Sequence, residues 1–164
     1  MKARIDNPVM TIPGALDGLR EFGMSARTGE VPDTTLALIQ LRVSQINGCS
    51  VCADMHSREL EYLGTSSERL HTLAAWREAP YFSDEERAAL ALAEAATRLA
   101  DNPESVSDAI WDEAARHYTE SQLAALVVSI AAINAFNRLN ATTRQPTGPW
   151  VAQYVEQAMA AQAA

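Results

Sequence analysis

The stretch from Pro32 to Gly64, PDTTLALIQLRVSQINGCSVCADMHSRELEYLG, predicts two consecutive helices and the end of each. Pro32-Asp33 begins the first helix, and four of its apolar residues share one face at helical spacing: Leu36, Ile39, Val43 and Ile46. Asn47-Gly48 ends this helix, because glycine readily takes the backbone conformation that follows a last helical turn. The second helix is predicted from about Cys49 to Leu63, with Gly64 after its last turn.

Further helices are predicted on both sides of this stretch. In three places a hydroxyl and a Glu or Gln fit a capping box, which satisfies free amides of a first helical turn: Thr65/Glu68, Ser83/Glu86 and Thr119/Gln122. The other helices expected are one ending near Gly23, those near 66–77, 84–100, 108–117 and 120–140, and one from Val151 to about Met159. Alanine is common and β-branched residues are sparse, which also favours helix. We therefore predict an all-α bundle of seven or eight helices.

The size and charge of the chain narrow its class. Its 164 residues, 48% of them hydrophobic, suffice for a single domain (residues 1–164) with a sizeable core. No internal repeat or linker divides the chain. The formal net charge is −8 and the sequence pI is about 4.8. This acidic balance disfavours nucleic acid and anionic membranes as partners.

A cytoplasmic location is expected from two features of the sequence. The N-terminal residues lack a signal-peptide core, since Pro8, Pro13 and Asp17 interrupt it. The longest apolar stretch, Leu123 to Ala135, is too short to span a membrane and is predicted to be a buried helix. In a reducing compartment, two cysteines are more often catalytic or metal-binding than a structural disulfide.

The candidate site is Cys49, Cys52 and His56, in the order Cys-x-x-Cys-x-x-x-His. On a helix these positions fall on one face. The free amides and dipole at a helix start favour the thiolate, which is the reactive form of cysteine. The i, i+3 spacing lets the two sulfurs approach disulfide distance, and His56 can take or return a proton. Reversible dithiol chemistry needs no more than these groups, so neither a metal nor a cofactor is predicted.

A zinc site and a plain buried pair are the two other interpretations of the cysteines. Cys49 and His56 lie about 10 Å apart along a helix axis, too far for one tetrahedral ion unless the helix start unwinds. The chain also has no second cysteine pair to complete a four-cysteine site. Which cysteine attacks stays open on these grounds: the helix dipole favours Cys49, and proximity to His56 favours Cys52.

Three segments together resemble the AhpD-like alkylhydroperoxidase branch of the carboxymuconolactone decarboxylase family: LRVSQINGCSVCADMH at 41–56, WREAPYF at 76–82 and INAFNRL at 133–139. The resemblance implies an all-helical fold, trimers or hexamers, and peroxidase activity with a hydroperoxide substrate and a thiol or dithiol electron donor. In the family the second cysteine attacks the peroxide and the first resolves it as a disulfide. Carried over by position, Cys52 would be peroxidatic and Cys49 resolving.

The chain departs from the family at one functional position. The family usually carries a glutamate twelve residues before the first cysteine, which helps to relay a proton, and this chain has Ala37 there. Gln40 could offer hydrogen bonds but not a titratable group. This departure favours an alternative function, a dithiol redox partner or sensor with little peroxidase activity. A non-catalytic helical oligomer is the third interpretation.

Several polar residues outside the motif have simpler interpretations. His71 and His117 are expected to have surface or packing roles, and Glu59 and Glu61 to be solvated. Three residues interrupt an otherwise apolar helix: Asn134, Asn137 and Arg138. They are expected to be satisfied inside the fold or at a subunit interface. The alternative places one of them beside the thiol site.

Overall fold

The computed structural model describes residues 2–162, and this part of the chain forms nine α-helices and no strand. The helices are α1 Pro8–Thr11, α2 Ala15–Ser25, α3 Asp33–Asn47, α4 Ser50–Tyr62, α5 Ser67–Thr72, α6 Asp84–Thr97, α7 Asp108–His117, α8 Glu120–Thr143 and α9 Trp150–Gln162. Short 3₁₀ turns follow α2, α5 and α6 at Ala26–Gly29, Leu73–Ala75 and Arg98–Ala100. The predicted all-α fold is confirmed, and the single-turn α1 is added to the eight predicted helices.

The centre of the bundle is α3, which packs against α4, α6 and α8. The sequence predicted one apolar face on this helix, but Leu38 and Leu41, outside that face, are also buried. A helix that is covered on most of its circumference has no free face for polar residues. The dithiol motif follows directly after this helix, so it begins from a rigid, buried support.

Helix caps explain most of the boundaries. The capping boxes at Ser83 and Thr119 are both formed, as predicted. The box predicted at Thr65 is wrong: Ser66 occupies the N-cap position of α5 without a side-chain capping hydrogen bond, and the buried Thr65 hydroxyl has no hydrogen-bond partner. The reason lies in the preceding helix, because the Thr65 amide donates to the Leu60 carbonyl at 2.9 Å and closes the end of α4.

Close packing keeps α2 helical beyond Gly23, where the sequence predicted its end. A methyl group built at Gly23 would lie 3.5 Å from the Cβ of Ala132, so this glycine lets α2 approach α8. The chain then turns at Ala26–Gly29, which also lies against α8. Close approach of two helices is a known reason for a glycine within a helix.

The long helix α8, which packs against α3, carries polar groups on its buried side. Its length and apolar composition alone would allow it to cross a membrane. Within the bundle, however, Asn47 of α3 donates to Asn134 and Asn137 at 2.9 Å, and Asn137 donates to Ser44 at 3.1 Å. The expectation that Asn134 and Asn137 are satisfied inside the fold is confirmed. Arg138 donates to Asn134 at 3.0 Å, and none of the three lies at the thiols.

A buried carboxylate ties α6 to α3 on the other side of the bundle. Glu94 accepts from Arg42 at 2.5 Å, from Arg77 at 2.6 Å and from the indole of Trp76 at 3.1 Å. Burial by itself raises the pKa of the Glu94 carboxyl, but these three donors outweigh burial and hold the pKa below its ordinary value. Glu94 therefore stays charged near neutral pH. It ties α3, the helix that precedes the dithiol motif, to α6.

Candidate functional site

The site begins at the junction between α3 and α4. Gly48 has a φ of 67°, in the left-handed region that glycine adopts without strain, and it ends α3. Cys49 is the N-cap of α4, and its sulfur accepts a hydrogen bond from the Cys52 amide at 3.3 Å. The prediction that Cys49 stands at a helix start is therefore confirmed.

The two sulfurs are joined in a disulfide. The Cα atoms of Cys49 and Cys52 are 5.4 Å apart, within the usual range for such a bond. Cys49 is 2% exposed and Cys52 is 4% exposed. Only Cys52 lines the adjacent cavity. The structure therefore represents the oxidised form of the pair, with one sulfur next to the cavity and the other outside its lining.

The cavity has a volume of about 670 Å³ and lies between the N-terminal helices, α4, α8 and α9. Both Cys52 and His56 line it. Its walls are mostly apolar, with large side chains that include Met10, Met24, Met55, Ile133, Phe136, Trp150, Tyr154 and Met159. Apolar cavities with a few convergent polar groups are the common form of small-molecule sites.

His56 is held by a buried carboxylate. Its Nδ1 donates to Glu59 at 2.9 Å, and Arg27 donates to the other oxygen of Glu59 at 3.0 Å. Arg27 also pairs with Asp33 at the start of α3. An ionised carboxylate only accepts hydrogen bonds, so the proton of the neutral ring lies on Nδ1 and Nε2 carries the lone pair. Glu59 thereby fixes the tautomer of His56.

The expectation that Glu59 is solvated is wrong. Only 9% of the residue is exposed, whereas Glu61 is exposed as expected. Burial by itself raises the pKa of Glu59, but the hydrogen bonds and charges of His56 and Arg27 outweigh it, and the pKa lies below its ordinary value. The spacing from His56 to Glu59 is i, i+3, which places both on one helix face and was the available signal.

Asn140 is the amide beside the thiols, and sequence reasoning missed it. Its Nδ2 donates to the sulfur of Cys52 at 3.4 Å, and its Oδ1 accepts from Asn7 at 3.2 Å. Asn7 also caps α1. The sequence pointed to the earlier amides of the same helix, and only the tertiary packing of α8 on α4 selects Asn140.

The position of the family's relay glutamate lies in the core. Ala37 is 1% exposed and supplies no titratable group, as the sequence indicated. Gln40, one turn later, lines the cavity and donates to Ser129 at 3.0 Å. The carboxylate nearest to the chemistry is therefore Glu59, which comes from α4 instead of α3.

The remaining candidates lie away from the cavity. His71 is exposed. The Nε2 of His117, near the end of α7, lies 3.2 Å from the Oε1 of Glu113. Within residues 2–162, no three His, Cys, Asp or Glu side chains lie close enough together to hold a metal ion. The chemistry available at the site is that of the two sulfurs, an oriented imidazole and the amide of Asn140.

Comparison with known sequences places the dithiol within a family. The profile of the carboxymuconolactone decarboxylase family matches residues 13–95. The uncharacterized protein YdfG of Bacillus subtilis is 40% identical over 128 residues, which cover 78% of this chain and 86% of YdfG. The uncharacterized protein YnjA of Escherichia coli is 36% identical over 110 residues, which cover 67% of this chain and 59% of YnjA.

Solved structures share the helical architecture. A protein of unknown function from Agrobacterium tumefaciens, a candidate antioxidant defence protein AhpD, is 28% identical with a TM-score of 0.83 over 90% of this chain and 99% of its own. The debrominase Bmp8 in complex with 2,3,4-tribromopyrrole is 19% identical with a TM-score of 0.76, over 91% and 78% of the two chains. An uncharacterized peroxidase-related protein from Ralstonia eutropha JMP134, with an AhpD core, is 16% identical with a TM-score of 0.74, over 88% and 76%.

The last two likenesses are low in identity and show the fold alone. The profile match and YdfG carry the relationship in sequence, and the Agrobacterium structure carries it in shape over nearly its whole length. The chain therefore belongs to the carboxymuconolactone decarboxylase family, in its AhpD-like branch.

Proposed function

We propose that the protein is a thiol-dependent peroxidase, which reduces hydroperoxides with the Cys49/Cys52 dithiol and the help of His56. The observation that carries this proposal is the unequal position of the two sulfurs: Cys52 lines the apolar cavity and Cys49 does not. An attacking thiol must meet the substrate, whereas a resolving thiol needs to reach only the attacking sulfur. Cys52 is accordingly the peroxidatic cysteine and Cys49 the resolving one.

The reaction balances with the groups at the site and an external thiol. The thiolate of Cys52 attacks the terminal oxygen of the hydroperoxide, the O–O bond breaks, and Cys52 becomes a sulfenic acid. The alkoxide takes a proton and leaves as the alcohol. The thiolate of Cys49 then attacks the Cys52 sulfur and displaces hydroxide, which leaves as water. A thiol or dithiol donor returns two electrons and two protons to the disulfide.

The histidine serves these proton transfers. His56 lies one helical turn from Cys52 and on the same cavity, so Nε2 can take the thiol proton and later return it to the leaving oxygen. Glu59 is a positioning residue, because it touches His56 and keeps the lone pair on Nε2. Arg27 in turn holds Glu59. This arrangement supplies a carboxylate where Ala37 cannot.

Single cysteine variants test the roles. In Cys49→Ser, peroxide should leave a sulfenic acid on Cys52, because no thiol remains to resolve it. In Cys52→Ser, the reaction with peroxide should be lost. A sulfenate-trapping reagent followed by mass spectrometry measures both. A trapped oxygen on Cys49 in Cys52→Ser, with none on Cys52 in Cys49→Ser, would reverse the assignment.

The alternative, a dithiol redox partner or sensor, draws support from one feature. Gln40 is the only residue of α3 that lines the cavity, and its side chain cannot titrate. The buried Ala37 stands where the family usually carries a relay glutamate. Peroxide consumption by the reduced protein with several thiol donors separates the two functions. A peroxidase turns over many equivalents, whereas a sensor forms the same disulfide once and slowly.

A further inference from the structure

The balance of charge around the cavity is opposite to that of the protein as a whole. The chain carries a formal net charge of −8. Among the described residues, in contrast, two arginines line the cavity, Arg20 and Arg27, together with a single carboxylate, Glu59. A cleft of one sign with low-dielectric walls concentrates ligands of the opposite sign. The cavity therefore favours an anion on a surface that otherwise repels anions.

Only one of these arginines is available to a ligand. Arg27 is committed to Glu59 and Asp33. Arg20 forms no ion pair and no side-chain hydrogen bond with any residue in the part of the chain that the structure describes, although Asp17 and Glu21 are close in sequence. Arg20 lies one helical turn from Leu16 and one from Met24, and all three line the cavity. Arg20 is therefore an exposed residue on the cavity side of α2.

The rest of the cavity wall is mostly apolar and favours an apolar part of a ligand. Large aliphatic, aromatic and methionine side chains from α4, α8 and α9 line the same cavity as Cys52. Burying a hydrocarbon chain there gains free energy in proportion to the apolar area removed from water. A ligand that satisfies both the wall and Arg20 has a hydrocarbon body and one anionic group.

We propose that the cavity binds amphipathic carboxylic acids, with the hydrocarbon chain against the apolar wall and the carboxylate paired with Arg20. This inference rests on the proposed peroxidase function for its chemistry: the substrate is then a hydroperoxide of a medium- or long-chain carboxylic acid. Its O–O bond is cleaved at Cys52 as described above, the product is the hydroxy acid, and the carboxylate is unchanged. Arginine suits this role because its planar fork matches a carboxylate.

Binding of inert ligands tests the inference without any turnover. Isothermal titration calorimetry compares decanoate with the neutral decanamide, both below their aggregation concentrations, on the reduced protein. We expect decanoate to bind about threefold more tightly than decanamide, the size expected for a partly exposed charge pair. In Arg20→Gln this preference should disappear. In Arg98→Gln, a matched change at an exposed arginine outside the cavity, the preference should persist.

Turnover provides the second measurement. The protein should reduce linoleic acid hydroperoxide with a larger kcat/KM than the methyl ester of this hydroperoxide. In Arg20→Gln, the ratio of the two kcat/KM values should be close to one. Equal binding of decanoate and decanamide, or a preference that survives in Arg20→Gln, would overturn the inference. If decanoate binds through Arg20 but no hydroperoxide is consumed, the ligand class stands and the peroxidase proposal fails.

Discussion

At the scale of single residues, two amide side chains from distant parts of the chain form a hydrogen-bonded pair at the sulfur of Cys52. Asn140 donates to this sulfur, and Asn7 orients Asn140 by donating to the same amide. A hydrogen bond to a charged acceptor favours the charged form, here the thiolate. In the proposed mechanism, His56 with Glu59 transfers the proton, and Asn140 stabilises the thiolate of Cys52.

Removal of the Asn140 amide should make Cys52 less reactive. In a Cys49→Ser background, Asn140→Leu should slow alkylation of Cys52 by iodoacetamide at pH 7 by about tenfold, because a hydrogen bond to a charged group is lost. Asn102→Leu, at an exposed loop position, is the matched control and should leave the rate unchanged. An unchanged rate in Asn140→Leu would mean that the amide does not stabilise the thiolate.

Glu59→Gln should slow the attack on peroxide by about tenfold, which is less than the roughly 10²–10⁴-fold contribution of a general acid or base, because His56 itself remains. The loss should be larger at pH 7 than at pH 9, where the thiolate forms without a base. Stopped-flow kinetics measure the rate, and ¹⁵N spectra of the imidazole should show a mixture of tautomers in place of Nδ1–H. Glu61→Gln, an exposed glutamate on the same helix, is the control. A rate loss without a change in tautomer would indicate a merely structural role.

The depressed pKa of Glu59 also gives a pH dependence of stability. A carboxyl group whose pKa is lower in the folded protein contributes stability above its unfolded pKa, near 4.5, and loses it as the pH falls through the folded value. The urea midpoint of Glu59→Gln should therefore be lower than that of the parent protein at pH 7. The two midpoints should approach each other as the pH falls below 4.5. A constant difference over this range would contradict the role of the charge.

At the scale of secondary-structure elements, the turn at Ala26–Gly29 joins the site to the core. Arg27 in this turn reaches Glu59, and Gly29 anchors the turn against α8. A methyl group at Gly29 would overlap the Cβ of Ala125 and would lie 2.9 Å from the carbonyl oxygen of Ser121. Glycine is therefore required here for close approach to a neighbouring helix.

Two glycine substitutions should consequently have opposite effects. Gly29→Ala should destabilise the fold by about 2 kcal/mol, because overpacking forces the backbone to shift. Gly18→Ala, in α2 with nothing within 4 Å of the added methyl, should stabilise it by about 0.5–1 kcal/mol. Urea unfolding measures both free energies. A stabilising Gly29→Ala would show that the turn has room to move away from α8.

At the scale of the whole molecule, α8 leaves an apolar strip uncovered in the described part of the chain. Ala124, Val127 and Ala131 share one face of this helix and are exposed, Val127 to 44%. We expect this face to form a contact between copies of the chain, in accord with the sequence expectation of a homo-oligomer. Val127→Glu should then shift the sedimentation coefficient towards that of a monomer. Leu99→Glu, at an exposed leucine elsewhere, should not, and a monomeric parent protein would refute the expectation.

The sequence was sufficient for eight of the nine described helices, though not for every boundary, and for the dithiol motif, because these depend mostly on local signals. Capping residues, glycine stops and the spacing from Cys49 to His56 act within one or two turns. Asn140 and Arg27 could not be found in this way, since each reaches the site from a different helix or turn. Glu59 was within reach, but the periodicity of α4 does not reveal that Arg27 and His56 compensate for its burial.

The composite wall of the cavity has a consequence for divergence among relatives. The segment that the family profile matches, residues 13–95, contains both cysteines, His56 and Glu59, whereas α8 and α9 lie beyond it. The two cysteines and His56 therefore lie on a different part of the chain from much of the cavity wall. Changes in α8 and α9 at positions other than Asn140 can alter the apolar wall without replacing a cysteine, His56 or the amide at the Cys52 sulfur. A relative that keeps the two cysteines and His56 can therefore have a cavity of different shape.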